Sequence, residues 1–173
     1  KYGREGLLVD LADDLDVTVI KKPSMPVIED SQTAVVQALD NPVGTPPLRT
    51  LAKTANSVAI AICDITRPVP NGLFLRPMIE QLIGGGISAD AITVIVATGL
   101  HRPNLGAELE ELIGDSWVLR KVKVVNHYAR DDDAHVFVGK TKTRGSVIRL
   151  DRRFVDADLR TVTGLVEPHF MAG

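Results

Sequence analysis

Val58-Ala59-Ile60-Ala61-Ile62-Cys63-Asp64-Ile65-Thr66-Arg67-Pro68-Val69-Pro70 is an apolar run that ends abruptly in charged and turn-forming residues. A continuous apolar run without polar alternation reads as a strand covered on both faces, as in a parallel sheet. The same junction recurs. Residues 91–97 lead into Thr98-Gly99-Leu100-His101-Arg102-Pro103, residues 122–125 into Asn126-His127, and residues 160–166 into Glu167-Pro168-His169-Phe170. Between these runs the pattern supplies helices over 77–83, with Pro77 in the opening turn and Gly84-Gly85-Gly86 as cap and turn, and over 105–113, stopped by Gly114. The alternation predicts an α/β domain of Rossmann-like, doubly wound type: a mainly parallel sheet with helices on both faces. Parallel strands share one carboxyl edge, so the four polar clusters converge on one crevice, where ligands bind in such folds.

The flanking segments read less regularly. Apolar runs at 7–11 and 17–20, separated by Asp13-Asp14, predict a hairpin or edge strands. Asp30 or Ser31 caps a helix carrying Val35, Val36 and Leu39, and a second short helix spans 46–55. Residues 136–138 and 147–150 suggest a hairpin turned at 140–145.

At 173 residues and 45% hydrophobic content the chain can bury one substantial core, which predicts one domain. A net charge of −2 with no long basic run, and 4% aromatics, leave no platform for phosphate neutralisation or base stacking, so nucleic acid is excluded as a partner. One cysteine cannot form an internal disulfide, and no apolar stretch approaches the ~20 residues of a membrane span. A cytoplasmic protein that engages no membrane is the expectation. The chain starts at Lys1 and stops just beyond an apparent strand, so residues 1–173 are expected to be the amino-terminal α/β domain of a longer two-domain enzyme.

Within the crevice, Asp64, Thr66 and Arg67 place a carboxylate, a hydroxyl and a guanidinium on a loop stiffened by Pro68 and Pro70. The planar fork of Arg67 suits a carboxylate or phosphate, and Asp64 either receives hydroxyl protons or orients Arg67. His101 follows a strand, with Thr98 and Gly99 shaping the turn and Arg102 beside it, and titrates in the range suited to proton transfer. Glu167 and His169 repeat that arrangement at the last strand. Two histidines on separate strand ends can face a substrate from opposite sides, as inversion of a stereocentre requires; they can also be a metal pair. The four histidines lie in separate loops without short metal-ligand spacing, which argues against zinc, and His127 reads as a supporting or surface residue. Cys63 borders Asp64, whose charge opposes thiolate formation, so it reads as a small buried residue.

Leu39-Asp40-Asn41-Pro42-Val43-Gly44, the DxTRPxP string at 64–70, the ATGxHRP string at 97–103 and the segment 167–173 together resemble the amino-terminal domain of the nickel-dependent lactate racemases, in register from about Ser31 to Gly173. The resemblance implies a racemase or epimerase of small 2-hydroxy acids that uses a nickel-pincer nucleotide made by cofactor-biosynthesis proteins. It implies catalytic roles for His101 and His169, with hydride transfer through a 2-keto acid. It also implies that Arg67 holds the substrate carboxylate, and that Asp64 and Thr66 contact the cofactor or order its loop. The family's pincer-anchoring lysine and nickel-ligating histidine come after the EPHF-type segment, so no metal ligand is expected within this chain, nor activity from the chain alone. Two other readings stay open: a non-catalytic anion-binding or assembly module of the same fold, and a metal hydrolase using His101, His127 and His169.

Overall fold

The structure, a computed structural model, describes residues 5–21 and 23–166. Its centre is β1 (Val58–Cys63), hydrogen-bonded in parallel to β2 (Ile92–Ala97) on one side and to β6 (Leu159–Val162) on the other; β3 (Lys123–Asn126) extends the sheet beyond β2. The order is β3-β2-β1-β6. The chain thus winds outward from β1 through β2 to β3, then returns to the far side of β1, which sets a topological switch point between β1 and β6. Register aligns the ends: Cys63 stands opposite Ala97, and Val96 opposite Asn126.

Alternation along the strands sorts the two faces. Val58, Ile60 and Ile62 of β1 and Ile92, Val94 and Val96 of β2 all turn to one side and are at most 1% exposed. They pack there with α2 (Leu48–Ala52), α3 (Asn71–Gly84), α4 (Ala107–Ile113) and α5 (Ser116–Lys121). Each such side chain, fully buried, contributes roughly 1.5–3 kcal/mol. The other face is covered more thinly: Ala59 and Ile95 meet Phe154 of α6 (Arg152–Val155) and Ala157 beyond it. Next to α6 lies an antiparallel hairpin of β4 (His135–Lys140) and β5 (Val147–Asp151).

Helix α1 (Ser31–Asp40) is capped as expected, with the Asp30 carboxylate accepting from Thr33 N at 3.0 Å. Helix α3 departs from expectation, because it starts at Asn71 and carries Pro77 in its interior. The stiff Pro68–Pro70 segment turns the chain early, Leu73 N bonds back to the Pro70 carbonyl, and the buried Asn71 amide donates to Leu112 O at 3.0 Å, tying the first turn to α4. The predicted strands at 7–11 and 17–20 do not form; these residues carry no helix or strand and their apolar side chains are exposed. Lacking a face to cover, two short apolar runs do not hold a hairpin together in water. Helix α5 was not anticipated, and β6 is shorter than residues 160–166 and, among the described residues, pairs only with β1.

Gly85 ends α3 where α2 presses on it: a Cβ there would lie 2.5 Å from the Ala52 Cβ and 2.6 Å from the Arg49 carbonyl oxygen. Gly85→Ala is expected to lower the midpoint of urea unfolding by an amount equivalent to about 1–3 kcal/mol, the scale of overpacking a close contact. Gly139→Ala, whose added methyl meets nothing within 4 Å, should stay within about 0.5 kcal/mol of the parent in the same measurement.

Candidate active site

Beyond β1 the chain turns back at once, with Arg67 N bonding to the Asp64 carbonyl at 3.1 Å. Asp64 is only 5% exposed, and a carboxylate so placed requires partners. Its Oδ1 accepts from the Thr66 amide at 3.2 Å and the Thr66 hydroxyl at 2.6 Å, while Oδ2 meets His101 Nδ1 at 2.5 Å. Burial pushes the Asp64 carboxyl up, but these hydrogen bonds outweigh it and hold the group below its usual range, hence ionised. An ionised carboxylate only accepts, so His101 Nδ1 carries a hydrogen and, in the neutral ring, Nε2 carries the lone pair. That is a base oriented by a buried acid.

His101 reaches Asp64 because the chain after β2 makes a tight turn. Gly99 has φ +57°, a conformation glycine adopts without strain, and His101 N bonds to the Thr98 carbonyl at 2.9 Å. Thr98 faces inward and donates its hydroxyl to the His127 carbonyl at 2.5 Å, joining the ends of β2 and β3. Asn104, which the sequence did not single out, and Asn126, placed there only within a strand-end cluster, complete the frame. The buried Asn126 side chain accepts from Asn104 N and donates to Asn104 O, both at 2.9 Å, and Asn104 Oδ1 accepts from Ile65 N at 3.2 Å, so the two asparagines link the loops after β1 and β2 to the end of β3.

These groups border a cleft of about 530 Å³ at the switch point. Its floor is apolar, from Ala61, Ile62, Ala97 and Val162, and its rim carries Asp64, Thr66, Arg67 and His101. Arg67 is exposed and held only loosely, its NH1 3.5 Å from Thr66 oxygens. Arg102, expected beside His101, is instead engaged with Glu108 through two bonds of 2.5 and 2.6 Å. Glu167 and His169 lie outside the described residues. A larger hollow of about 630 Å³ on the helical side, near Gln32, Arg49 and Glu80, shares no residue with the cleft and contains no histidine.

His127 does not join His101. Its Nδ1 meets Asp151 Oδ2 at 3.0 Å and its Nε2 lies 3.4 Å from His135 Nε2, in a second cluster that borders an adjoining apolar hollow of about 220 Å³, which shares Ala61, Ala97 and Val162 with the cleft. The three-histidine hydrolase arrangement therefore finds no support at His127. Arg153 closes that cluster with NH2 and Nε on Asp151, at 2.5 and 2.9 Å. Neither Asp151 nor His135 has a signal in the local sequence, because their partners are distant along the chain.

The lactate racemase N-terminal domain family matches residues 2–173 of this chain. A lactate racemase of Thermoanaerobacterium thermosaccharolyticum is 32% identical over 99% of the chain and 40% of its own length, and one of Lactiplantibacillus plantarum is 34% identical over 82% of the chain and 33% of its own. The chain thus spans well under half the length of these relatives. The structure of the T. thermosaccharolyticum lactate racemase apoprotein superposes with a TM-score of 0.76 at 30% identity, covering 83% of this chain and 34% of that one. A Thermotoga maritima protein, 20% identical with a TM-score of 0.55, shares the fold.

The acid limb of stability tests the second cluster. Burial raises the Asp151 carboxyl, but Arg153 and His127 outweigh it and lower its pKa from 3.8 to about 2. A carboxylate depressed in the folded state stabilises fully above its unfolded pKa, and that contribution disappears as pH falls through the folded one. Asp151→Asn should therefore be less stable than the parent near neutral pH, with the gap narrowing between pH 3.8 and about 2 in urea unfolding followed by circular dichroism. A gap that persists unchanged at the acid end excludes this ionic role.

Proposed function

The chain belongs to the lactate racemase N-terminal domain family, and from that premise we propose that it supplies one wall of the active site of an isomerase that racemises a small 2-hydroxy acid. The observation that carries the reading is the Asp64–His101 pair standing beside the loosely held Arg67 on one cleft rim. Binding an anion needs only Arg67. A carboxylate-oriented imidazole facing the same cleft adds proton transfer, which favours an enzyme over a binding or assembly module.

The guanidinium of Arg67 receives the substrate carboxylate through two parallel hydrogen bonds, which fixes the orientation of the adjacent carbinol carbon. His101 Nε2 then takes the hydroxyl proton of one enantiomer. Asp64 stabilises the imidazolium that results, because its negative charge lies against Nδ1, and Thr66 holds Asp64 in place through its amide and hydroxyl. His169 is the proposed counterpart, giving or taking that proton for the other enantiomer. Inversion also requires the hydrogen on carbon to leave one face and return to the other.

The cleft's fit to a nickel-pincer nucleotide rests on its apolar strand-end floor, which matches a flat pyridinium ring, and on the loosely held Arg67 guanidinium, which suits an anionic group. Asp64 and Thr66 are mutually satisfied, so their support for the group is through ordering the loop, with Arg67 as the direct contact. When bound, the group supplies an acceptor for the hydride of the carbinol carbon. On this reading the anchoring and metal-ligating residues, as the resemblance implies, would follow the EPHF-type segment, outside this chain.

The test uses the longer protein that contains this chain, loaded with cofactor, and measures lactate racemisation from each enantiomer. His101→Ala and His169→Ala should each abolish interconversion both ways, since a full cycle uses both groups. Arg67→Lys keeps the charge and loses the fork, so it should weaken apparent substrate binding by about 1.5–3 kcal/mol. Near-parental rates in both directions for His101→Ala would show that His101 is structural.

A further inference from the structure

His127 and His135 meet outside that cleft. His127 follows β3 and His135 opens β4; their Nε2 atoms are 3.4 Å apart with ring planes at 82°. Each Nδ1 faces a group that only accepts: the Asp151 carboxylate at 3.0 Å for His127, and the Asp131 backbone carbonyl at 2.6 Å for His135. Both Nδ1 atoms therefore donate, and in the neutral rings each Nε2 presents a lone pair. Two lone pairs opposed at this distance repel unless a positive centre joins them.

The spacing suits a bridging metal ion better than a shared proton. N–H···O hydrogen bonds run about 2.7–3.2 Å between heavy atoms, so 3.4 Å is a long contact for a shared proton. Two imidazole nitrogens bound tetrahedrally at about 2.0–2.1 Å from one cation lie roughly 3.3–3.4 Å apart. The far nitrogens carry the carboxylate and carbonyl partners typical of metal-ligating histidines, which fix tautomer and ring orientation. His127 is 18% exposed at the side chain and His135 half-buried, so water has access. Nearby charges are balanced in pairs, Asp151 with Arg153 and Asp132 with Arg149.

We propose that His127 and His135 form a two-histidine site for a borderline divalent transition-metal cation, of which zinc and nickel are the representatives. Among the described residues no group of three or more metal-binding side chains is assembled, so water or an external anion completes the coordination shell. Imidazole selects such cations over magnesium and calcium, which prefer oxygen donors. The site is independent of the racemase reading, since neither histidine borders the His101 cleft.

The experiment titrates the 173-residue chain with zinc and, separately, magnesium, by calorimetry and by ¹⁵N spectra of the histidine rings, with circular dichroism to verify folding. Zinc should shift the Nε2 resonances of His127 and His135 and leave both Nδ1 atoms protonated, whereas magnesium should do neither. His135→Gln should weaken zinc binding at least about tenfold, and His101→Asn should leave it unchanged. Equal zinc affinity in the parent and His135→Gln overturns the proposal. So does the absence of a zinc-dependent shift at these two rings in the unsubstituted chain, which would mean that they share a proton instead.

Discussion

β1 is hydrogen-bonded along both edges and buried on both faces, and the site exists only because this strand cannot slide. Val58, Ala59, Ile60 and Ile62 are 1% exposed or less, split between a helical side and the thinner α6 side. A shift of one residue would move Asp64 by about 3.3 Å along the strand and turn the large side chains of β1 from the helical face to the other. Burial of those side chains therefore sets the position of a carboxylate that takes no part in the core. The switch point between β1 and β6 then provides the open crevice.

At the end of β1 the governing term changes from apolar burial to the cost of an unpaired charge. Asp64 reaches the edge while still screened from water, so its oxygens gather Thr66 and His101, and the loop follows from satisfying them. Asn104 and Asn126 apply the same rule to neutral groups, the Asn126 amide pairing with the Asn104 backbone and the Asn104 amide oxygen with Ile65 N. The rim is rigid where it orients the base. Arg67, by contrast, stays exposed with only long contacts, as suits a group that must exchange water for a ligand.

The three described histidines show how one side chain diverges with its setting. Each has its Nδ1 committed to an acceptor, and each is thereby left with Nε2 as the reactive nitrogen. His101 lines a cleft with an arginine on its rim, a setting that suits the proposed proton exchange with a bound hydroxy acid. For His127 and His135 that nitrogen faces a second imidazole, which favours a shared cation. The difference lies beyond the ring, in what the fold brings up to it.

The apolar runs of β1 and β2, the cap of α1 at Asp30 and the stops at Gly85 and Gly114 were legible in the sequence, because each follows from periodicity or from local backbone chemistry. So was the convergence of Asp64, Arg67 and His101, since parallel strands have no choice but to share an edge. Where context within the chain was not enough, the local reading failed: Pro77 looked like a helix start but lies inside α3, whose first turn is anchored by Asn71 to Leu112, and the runs at 7–11 and 17–20 looked like strands but pair with none of the described residues. The Asn104–Asn126 lock and the meeting of His127 with Asp151 and His135 belong to the tertiary structure alone. Their partners lie 8 to 24 residues apart in the chain and across separate elements. Pairing of that kind is decided by where the packed core leaves each strand end, which local propensity does not encode.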